Sequence, residues 1–257
     1  MPSSLPSYID FSTNSPAGGG LSALNAAFWL SLFSAQKQSN IIGDMLEIGI
    51  WHGYTAALLG AQLRNNENLG LIDICMDKEV FIPNILKFSP DCADNIKFWK
   101  SSSFDMRRQQ VLLDGIGDLR FVHIDGEHSY EAIENDFLLV INKLSNNGII
   151  VFDDIFLNNC PQLTEAVFDL RRKYRSEVSM FAVGLNKAYF CRPRSLQFYR
   201  DVTRKSPIIL DAVGQHLRVC AGGWSTETTY YGLAQRDKDT PKWLAMNHLT
   251  DEISDII

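Results

Sequence analysis

The sequence predicts a doubly wound α/β fold built around one mainly parallel sheet. In its central stretch, Leu119–Asp154, two short apolar runs, Leu119–Ile124 and Gly148–Phe152, flank a segment with apolar residues at helical spacing. A strand, a helix and a strand in that order form a right-handed crossover, which makes the two strands parallel. The same alternation from Met45 to Arg192 predicts a single domain with strand order 3-2-1-4-5 and an antiparallel hairpin beyond the fifth strand.

The composition is that of an ordinary globular protein. Of its 257 residues, 46% are hydrophobic and 21% are charged, which is enough to bury a sizeable core in one domain. The net charge of −6 leaves no overall basic field for nucleic acid or for an anionic membrane surface. We therefore expect a small-molecule substrate and neither nucleic acid nor a membrane as partner.

The cysteines indicate a reducing compartment. They number five, are widely spread and include no CxxC pair, which argues against a disulfide framework and against a thiolate zinc site. The apolar run Leu21–Phe33 has no preceding Lys or Arg and is too short to span a bilayer. We therefore expect a cytoplasmic protein without a signal peptide.

The N-terminal part is predicted to be an arm followed by a helix. Residues 1–20 are rich in Ser, Pro and Gly, which favours a flexible arm or a loop across the domain. Residues 21–37 have the spacing of an amphipathic helix. We divide the chain into this arm and helix (1–39), a core domain (40–192) and a C-terminal extension packed on it (193–257).

The first strand, Met45–Ile48, runs into a glycine-containing turn. Gly49 and Gly53 lie where the strand passes into a helix, and glycine there lets the backbone approach a ligand closely. The N-terminus of the following helix offers free N–H groups to an anion. The GxxxG spacing differs from the GxGxxG of dinucleotide binders and disfavours a nicotinamide cofactor.

Polar residues end the next two strands. The second strand, Leu69–Ile74, contains Asp73, and an acidic residue at this distance from the glycine turn can bind both hydroxyls of a ribose. Asp77 is the alternative for that role, and a surface turn is the alternative reading of Asp73. The third strand, Asn95–Trp99, is followed by the serines at 101–103.

Carboxylates end the fourth and fifth strands. Asp125 follows the fourth, and Asp153 and Asp154 follow the fifth, at the sheet edge where ligands bind in open α/β folds. Three such carboxylates repel one another unless protons, a cationic side chain or a metal compensate them. Mg²⁺ with oxygen ligands is the simplest compensation, and capping of turns and helices is the alternative role.

The rest of the chain continues the pattern less clearly. Helices are predicted over Asp105–Leu113 and from Pro161 onward, and a hairpin over Glu177–Val183 and Lys187–Arg192. Residues 193–257 are too rich in aromatic residues to be disordered. We expect them to shape a substrate pocket, to form a contact in a homo-oligomer, or to pack on the core.

With these motifs placed, the chain resembles class I S-adenosylmethionine-dependent methyltransferases with a Rossmann-like fold. The resemblance covers about residues 40–192 and rests on three runs, Leu46–Gly53, Ile124–Glu131 and Gly148–Asp154. Within that class the chain is most similar to metal-dependent O-methyltransferases related to macrocin and aminocoumarin-sugar methyltransferases, and cephalosporin-hydroxylase-like proteins share the pattern. Trp51 and His52 depart from the small residues that are common in the family's loop.

The resemblance implies a set of residues that bind S-adenosyl-L-methionine. The turn after the first strand would lie under the methionine part, the second strand would bind the ribose, and the third would approach the adenine. The implied cofactor residues are, in chain order, Glu47, Gly49, Gly53, Asp73, Ser102, Ser103 and Asp125.

The resemblance also implies a metal and a base. Asp125, Asp153 and Asp154 would hold Mg²⁺, and Glu127 would be the general base. His128 competes for that role, because its unperturbed pKa is about 6.5. It is expected to open the crossover helix, whose positive end disfavours an imidazolium ion, and we favour Glu127 on the resemblance.

The expected function is Mg²⁺-assisted methyl transfer to a hydroxyl of a small molecule such as a sugar, a diol or a catechol-like acceptor. A metal that holds two vicinal oxygens lowers the pKa of the hydroxyl, and a nearby carboxylate or imidazole removes the proton. The alternatives are a cephalosporin-hydroxylase-like protein, a nicotinamide-dependent oxidoreductase and a non-catalytic binding protein. The oxidoreductase is disfavoured further because the chain lacks a Tyr-x-x-x-Lys pair.

Overall fold

A ten-stranded sheet runs through the protein in a computed structural model that describes residues 5–14, 19–109, 113–205, 208–210, 215–221 and 230–237. The strands are β1 (Asp44–Ile48), β2 (Leu69–Asp73), β3 (Ile96–Lys100), β4 (Leu119–Ile124), β5 (Leu144–Phe152), β6 (Ser179–Gly184), β7 (Lys187–Cys191), β8 (Ile208–Leu210), β9 (Gln215–Ala221) and β10 (Tyr231–Asp237). Their order across the sheet is β3-β2-β1-β4-β5-β7-β6-β10-β9-β8.

The topology confirms the predicted fold class. The first five strands are parallel in the order 3-2-1-4-5, and β7 and β6 follow as an antiparallel hairpin beyond β5. The sheet continues past that hairpin, since β10 pairs with β6 in parallel and β9 and β8 are added antiparallel. These last three strands were not predicted, because residues 193–257 lack a clear alternating pattern.

Helices cover both faces of the sheet. They are α1 (Leu5–Thr13), α2 (Ala23–Gln38), α3 (Tyr54–Gly60), α4 (Lys78–Phe88), α5 (Ser103–Arg108), α6 (Tyr130–Val140), α7 (Pro161–Lys173) and α8 (Leu196–Arg204), with short 3₁₀ turns at Pro90–Asn95, Ile141–Lys143 and Pro193–Ser195. One core contains buried side chains of α1 to α4 and α8, and the other contains those of α5 to α7. Successive residues of a strand point to opposite faces, so Phe121 joins the first core and Val122 the second.

The N-terminal segment corrects the expectation of a flexible arm. Residues 5–13 form α1, and Tyr8 is completely buried. Its hydroxyl accepts a hydrogen bond from the Leu21 N–H at 3.1 Å. The ring of Phe11 stacks on that of Phe88 with centroids 5.0 Å apart. These aromatic contacts anchor the segment, whereas residues 1–4 and 15–18 of the predicted arm lie outside the described residues.

The start of the C-terminal extension packs on the core through Tyr199 of α8. The side chain is fully buried and stacks on Phe181. Its hydroxyl donates to the Asn147 carbonyl oxygen at 2.5 Å and accepts from Gln36 Nε2 at 3.0 Å. Trp224 and Trp243, two of the aromatic residues that motivated the prediction for this region, lie outside the described residues.

Two helix boundaries differ from the sequence prediction in ways that affect the site. Helix α5 begins at Ser103 rather than Asp105, because the Ser102 side chain caps it by accepting from the Phe104 N–H at 3.2 Å. Helix α6 begins at Tyr130 and is capped by Ser129, so His128 precedes the helix. Among the described helices, none has the length and hydrophobicity needed to cross a bilayer.

Candidate active site

The glycine turn after β1 brings the ends of two neighbouring strands together. Gly49 has φ +84°, and a Cβ atom there would lie 1.9 Å from the Asp125 carbonyl oxygen. The Asp125 N–H in turn donates to the Ile48 carbonyl oxygen at 2.8 Å. Only glycine allows this approach, so the turn and the end of β4 form one continuous floor.

Asp73, at the end of β2, is tied to the same turn. One carboxylate oxygen accepts from the Ile50 N–H at 2.8 Å, and the other accepts from the N–H groups of Cys75 and Met76 at 2.7 and 2.9 Å. Asp77, the alternative ribose ligand, forms an exposed ion pair with Lys100 instead. The geometry therefore favours Asp73 over Asp77 as the acidic residue of this edge.

A cavity of about 410 Å³ lies over the carboxyl ends of β1 to β4. Of the residues expected to bind a cofactor, Gly49, Asp73, Ser102, Ser103 and Asp125 line it. Two of the expected residues do not line the cavity. Glu47 is buried within β1, and Gly53 precedes α3 with φ +81°. Glu127 is exposed and lines the same cavity.

Beneath this floor runs a buried row of alternating charges. His123 Nδ1 lies 2.8 Å from Glu47 Oε1, and His123 Nε2 lies 3.0 Å from Asp153 Oδ2. The Lys187 ammonium contacts Asp153 Oδ1. All four residues are less than a tenth exposed. The row connects the strand below the glycine turn to the carboxylates at the end of β5.

Burial and pairing shift the pKa values of this row. Burial raises the pKa of Glu47 to about 7, although His123 limits the shift. Burial alone would lower the pKa of His123, but Asp153 and Glu47 outweigh it and raise the pKa to about 9. Burial likewise opposes the charge on Asp153, yet Lys187 and His123 hold its pKa well below the usual range. His123 and Asp153 are therefore charged at neutral pH.

His128 lies close to the carboxylates of Asp125 and Asp154. Its Nε2 lies 3.4 Å from Asp154 Oδ2 and 3.9 Å from Asp125 Oδ1. Asp125 raises the pKa of His128 to about 9, against the effect of burial and with help from Cys160 and Asp154. The expectation that a helix N-terminus keeps this imidazole neutral is wrong, because His128 precedes the helix and the carboxylates dominate.

The turn of the β6–β7 hairpin holds Asp154. Asn186 Nδ2 donates to Asp154 Oδ1 at 2.6 Å, and the Asn186 carbonyl oxygen accepts from the Ile155 N–H at 3.1 Å. Asp154 and Asn186 both have left-handed backbones, with φ of +55° and +57°. Such strain persists only where surrounding contacts fix it, so the hairpin sets the direction of the Asp154 side chain.

Two groups of possible metal ligands lie at this edge among the described residues. They are Asp125, His128 and Asp154, and His123, Asp125 and Asp153, with the ligand atoms of each within 4.8 Å of one another. Asp153 Oδ1 already accepts from Lys187 and from the Asp154 N–H at 2.8 Å, and Oδ2 faces His123. The first group therefore fits a divalent cation better, and the set of three aspartates stays a prediction.

Sequence reasoning missed His123, Lys187 and Asn186. His123 stands inside an apolar run and Lys187 begins a β-rich run, so both resembled ordinary strand residues. Strand pairing is what reveals these contacts. Glu47 lies opposite His123 in the β1–β4 register. Because Phe152 lies opposite Ala188 in the antiparallel β5–β7 pair, Lys187 lies beside Asp153.

Comparisons with known proteins find matches to the central part of the chain. Residues 46–155 match a family model described as a methyltransferase domain. The protein R132 of Acanthamoeba polyphaga mimivirus is 28% identical over 111 residues, 42% of this chain. The match spans 50% of that relative's length.

Solved structures share the fold at low sequence identity. The O-methyltransferase NovP is 16% identical, with a TM-score of 0.52 over 72% of this chain and 87% of NovP. The SAH-bound methyltransferase PaMTH1 of Podospora anserina is 17% identical, with a TM-score of 0.54 over 75% of this chain and 88% of PaMTH1. MycE, from the mycinamycin biosynthetic pathway and in complex with Mg and SAH, is 16% identical, with a TM-score of 0.52 over 74% of this chain and 55% of MycE.

Residues 46–155 thus match the model of a methyltransferase domain, and the chain shares its fold with these methyltransferase structures.

Proposed function

We propose that the protein transfers a methyl group from S-adenosyl-L-methionine to a hydroxyl of a small molecule such as a sugar, a diol or a catechol-like acceptor. The observation that carries the proposal is a junction at Asp125. This residue lines the cavity that also holds Gly49 and Asp73, and it belongs to the group formed with His128 and Asp154. O-methyl transfer requires a cofactor cavity next to side chains that can bind the acceptor hydroxyl and take its proton. Asp125 is shared between the cavity and such a group.

The cofactor would be bound by the turn after β1 and by Asp73. Gly49 lines the cavity in which the methionine part would lie, and Asp73 has a lone pair beyond the three that accept backbone N–H groups. The sulfonium is a strong electrophile without help from the protein. The main task of these residues is therefore to hold the methyl group in line with the acceptor oxygen.

Asp125 and Asp154 would hold a divalent cation, with oxygens of water or of the acceptor completing its shell. When bound, the cation would orient an acceptor hydroxyl, lower its pKa and neutralise the carboxylates that now raise the pKa of His128. Mg²⁺ prefers such oxygen ligands. MycE, which has a similar fold, was solved in complex with Mg and SAH, and this supports the proposal of a bound cation.

The proton of the acceptor would be taken by His128 or Glu127. The sequence resemblance favoured Glu127, whose side chain borders the cofactor cavity. His128 contacts Asp154 and lies near Asp125, which is where the acceptor hydroxyl would be held. A general base must first lie within reach of the proton that it takes, and its pKa is considered only after that. The contacts with Asp154 and Asp125 therefore favour His128 as the base.

The test is an assay for S-adenosylhomocysteine released from S-adenosylmethionine in the presence of sugars, diols and catechols, with and without added Mg²⁺. The proposal expects release that depends on at least one of these acceptor classes. Thermal shifts with S-adenosylhomocysteine and with NAD provide the control, because a ligand that binds only the folded state raises the midpoint. Stabilisation by NAD alone would favour the oxidoreductase alternative.

A further inference from the structure

The turn of the β6–β7 hairpin has a backbone that suits an asparagine. Gly184 and Lys187 are paired across the hairpin, so Leu185 and Asn186 are the two residues of the turn. Both have positive φ, +53° and +57°, as a type I′ turn requires. Asparagine adopts this left-handed conformation more readily than most residues with a side chain. The position of Asn186 in the turn therefore fits its local backbone as well as its contact with Asp154.

Adjacent residues of the hairpin treat the two carboxylates that end β5 differently. The Lys187 ammonium contacts Asp153 Oδ1, so a positive charge compensates that carboxylate. Asn186 Nδ2 donates to Asp154 Oδ1 at 2.6 Å. An amide carries no charge, so this bond fixes the Asp154 carboxylate without compensating it. Of the two carboxylates, Asp154 is thus the one that the hairpin orients and leaves able to bind a cation.

The bond to Asn186 also gives the two oxygens of Asp154 different surroundings. Oδ1 accepts from the amide, whereas Oδ2 lies 3.4 Å from His128 Nε2. The same nitrogen lies 3.9 Å from Asp125 Oδ1. Oδ2 is therefore on the side of Asp154 that faces Asp125, and it is the oxygen that a cation shared by the two aspartates would meet.

The turn is held in place by α2. Asn25 is buried, and its Nδ2 donates to the Leu185 carbonyl oxygen at 3.0 Å. The Tyr189 hydroxyl donates to Asn25 Oδ1 at 3.3 Å and accepts from Trp29 Nε1 at 3.3 Å. These contacts fix the backbone of the turn, so the Asn186 amide acts on Asp154 from a rigid support.

We propose that Asn186 positions Asp154 to bind the divalent cation through Oδ2 alone and thereby sets the affinity of the site. This inference rests on the proposed function, because it takes Asp125 and Asp154 to hold the cation. A hydrogen-bond partner that orients a metal-binding carboxylate is part of the site, and its loss typically weakens metal binding about 10- to 100-fold. Asn186 acts through Asp154 and is therefore a positioning residue.

The experiment measures Mn²⁺ binding to the full chain by electron paramagnetic resonance, which detects the free ion. Mn²⁺ takes the same carboxylate and water ligands as Mg²⁺. Asn186→Gly removes the amide and keeps a left-handed backbone, which glycine adopts without strain, and should raise the dissociation constant about 10- to 100-fold. The matched control, Leu185→Gly, makes the same change at the other residue of the turn and should bind Mn²⁺ like wild type. Both variants should bind S-adenosylhomocysteine like wild type, because the cofactor cavity lies over the ends of β1 to β4.

The outcomes separate this inference from the function on which it rests. If folded wild type binds no Mn²⁺, the metal assignment of the proposed function fails. If wild type binds Mn²⁺ and Asn186→Gly binds it equally well, the metal assignment stands and the role of Asn186 is overturned. The role is also overturned if Leu185→Gly weakens binding as much as Asn186→Gly, because loosening of the turn would then explain both losses.

A wild-type crystal soaked with Mn²⁺ tests the same inference without a variant. We expect the ion on Asp154 Oδ2, with the Asn186 amide still donating to Oδ1. An ion that displaces the amide from Oδ1, or that binds both oxygens of Asp154, would overturn the proposal even if Asn186→Gly did not fold.

Discussion

Lys187 forms a buried ion pair with Asp153, the first of the two carboxylates that end β5. The pair arises because β7 runs antiparallel to β5 and Ala188 lies opposite Phe152. With His123 on its other oxygen, Asp153 has two protein cations around it. A cationic side chain therefore neutralises Asp153, which the sequence analysis had assigned to the metal site. The metal ion is instead expected at Asp125 and Asp154.

Lys187→Met should destabilise the protein strongly. The change leaves the Asp153 carboxylate buried with one of its two cations removed, and breaking a buried pair in this way typically costs about 3–5 kcal/mol. Urea denaturation at neutral pH measures the loss. The control is Lys173→Met, which removes an exposed ion pair with Glu134 and should change little. Equal stability of the two variants would contradict the structural role of Lys187.

The free energy of unfolding should fall as the pH rises from about 6.5 to about 9. The folded-state pKa of His123 is raised to about 9. Its stabilising contribution is therefore complete below the unfolded pKa of about 6.5 and lost as the pH passes the folded value. The loss should be on the order of 3 kcal/mol.

Denaturation of His123→Asn across this pH range checks the assignment, because the slope should flatten. His128→Asn should reduce the pH dependence of the free energy of unfolding by less, because the His128 side chain is 38% exposed and its interactions are screened by solvent. A slope that persists unchanged in His123→Asn would contradict the charged state of this buried imidazole.

Removal of metal should abolish turnover and spare cofactor binding. Asp125 and Asp154 would hold the cation beside the acceptor, whereas Gly49 and Asp73 would hold the cofactor. EDTA should therefore remove the cation and leave the cofactor-binding residues unchanged. Mg²⁺ should restore activity, because the two carboxylates are the oxygen ligands that it prefers. Full methyl transfer in EDTA would argue against any metal.

His128→Asn should lower the turnover number by about 10²–10⁴, the range for loss of a general base. Glu127→Gln is the matched variant at the adjacent position and should lose much less, because Glu127 borders the cofactor cavity. Both are measured at saturating cofactor and metal. The reverse pattern, with the larger loss in Glu127→Gln, would restore the assignment that the sequence resemblance favoured.

The sequence predicted the parts of the fold that local patterns determine. Apolar runs that end in Asp73, Asp125 and Asp153 marked the strand ends, and the crossover rule then ordered the strands. Contacts between distant segments were not visible, because they depend on register. His123 resembled a core residue until β1 paired with β4, and Lys187 resembled a strand residue until β7 paired with β5.

The N-terminal helix was missed for a related reason. Residues 5–13 have a weak helical pattern of their own, and their Ser and Pro content favoured an irregular arm. The helix is stabilised by Tyr8 and Phe11 packing against Phe88, a contact between segments far apart in sequence. Tertiary burial therefore overrides local propensity there.

Calorimetric titration of the cofactor product tests the central claim most directly. Wild type should bind S-adenosylhomocysteine at one site, and Asp73→Asn should weaken binding by roughly 1.5–3 kcal/mol, the scale of hydrogen bonds to a charged group. Asp77→Asn, which changes an exposed carboxylate paired with Lys100, should bind like wild type. No binding to folded wild type, or unchanged affinity in Asp73→Asn, would contradict the cofactor site described above.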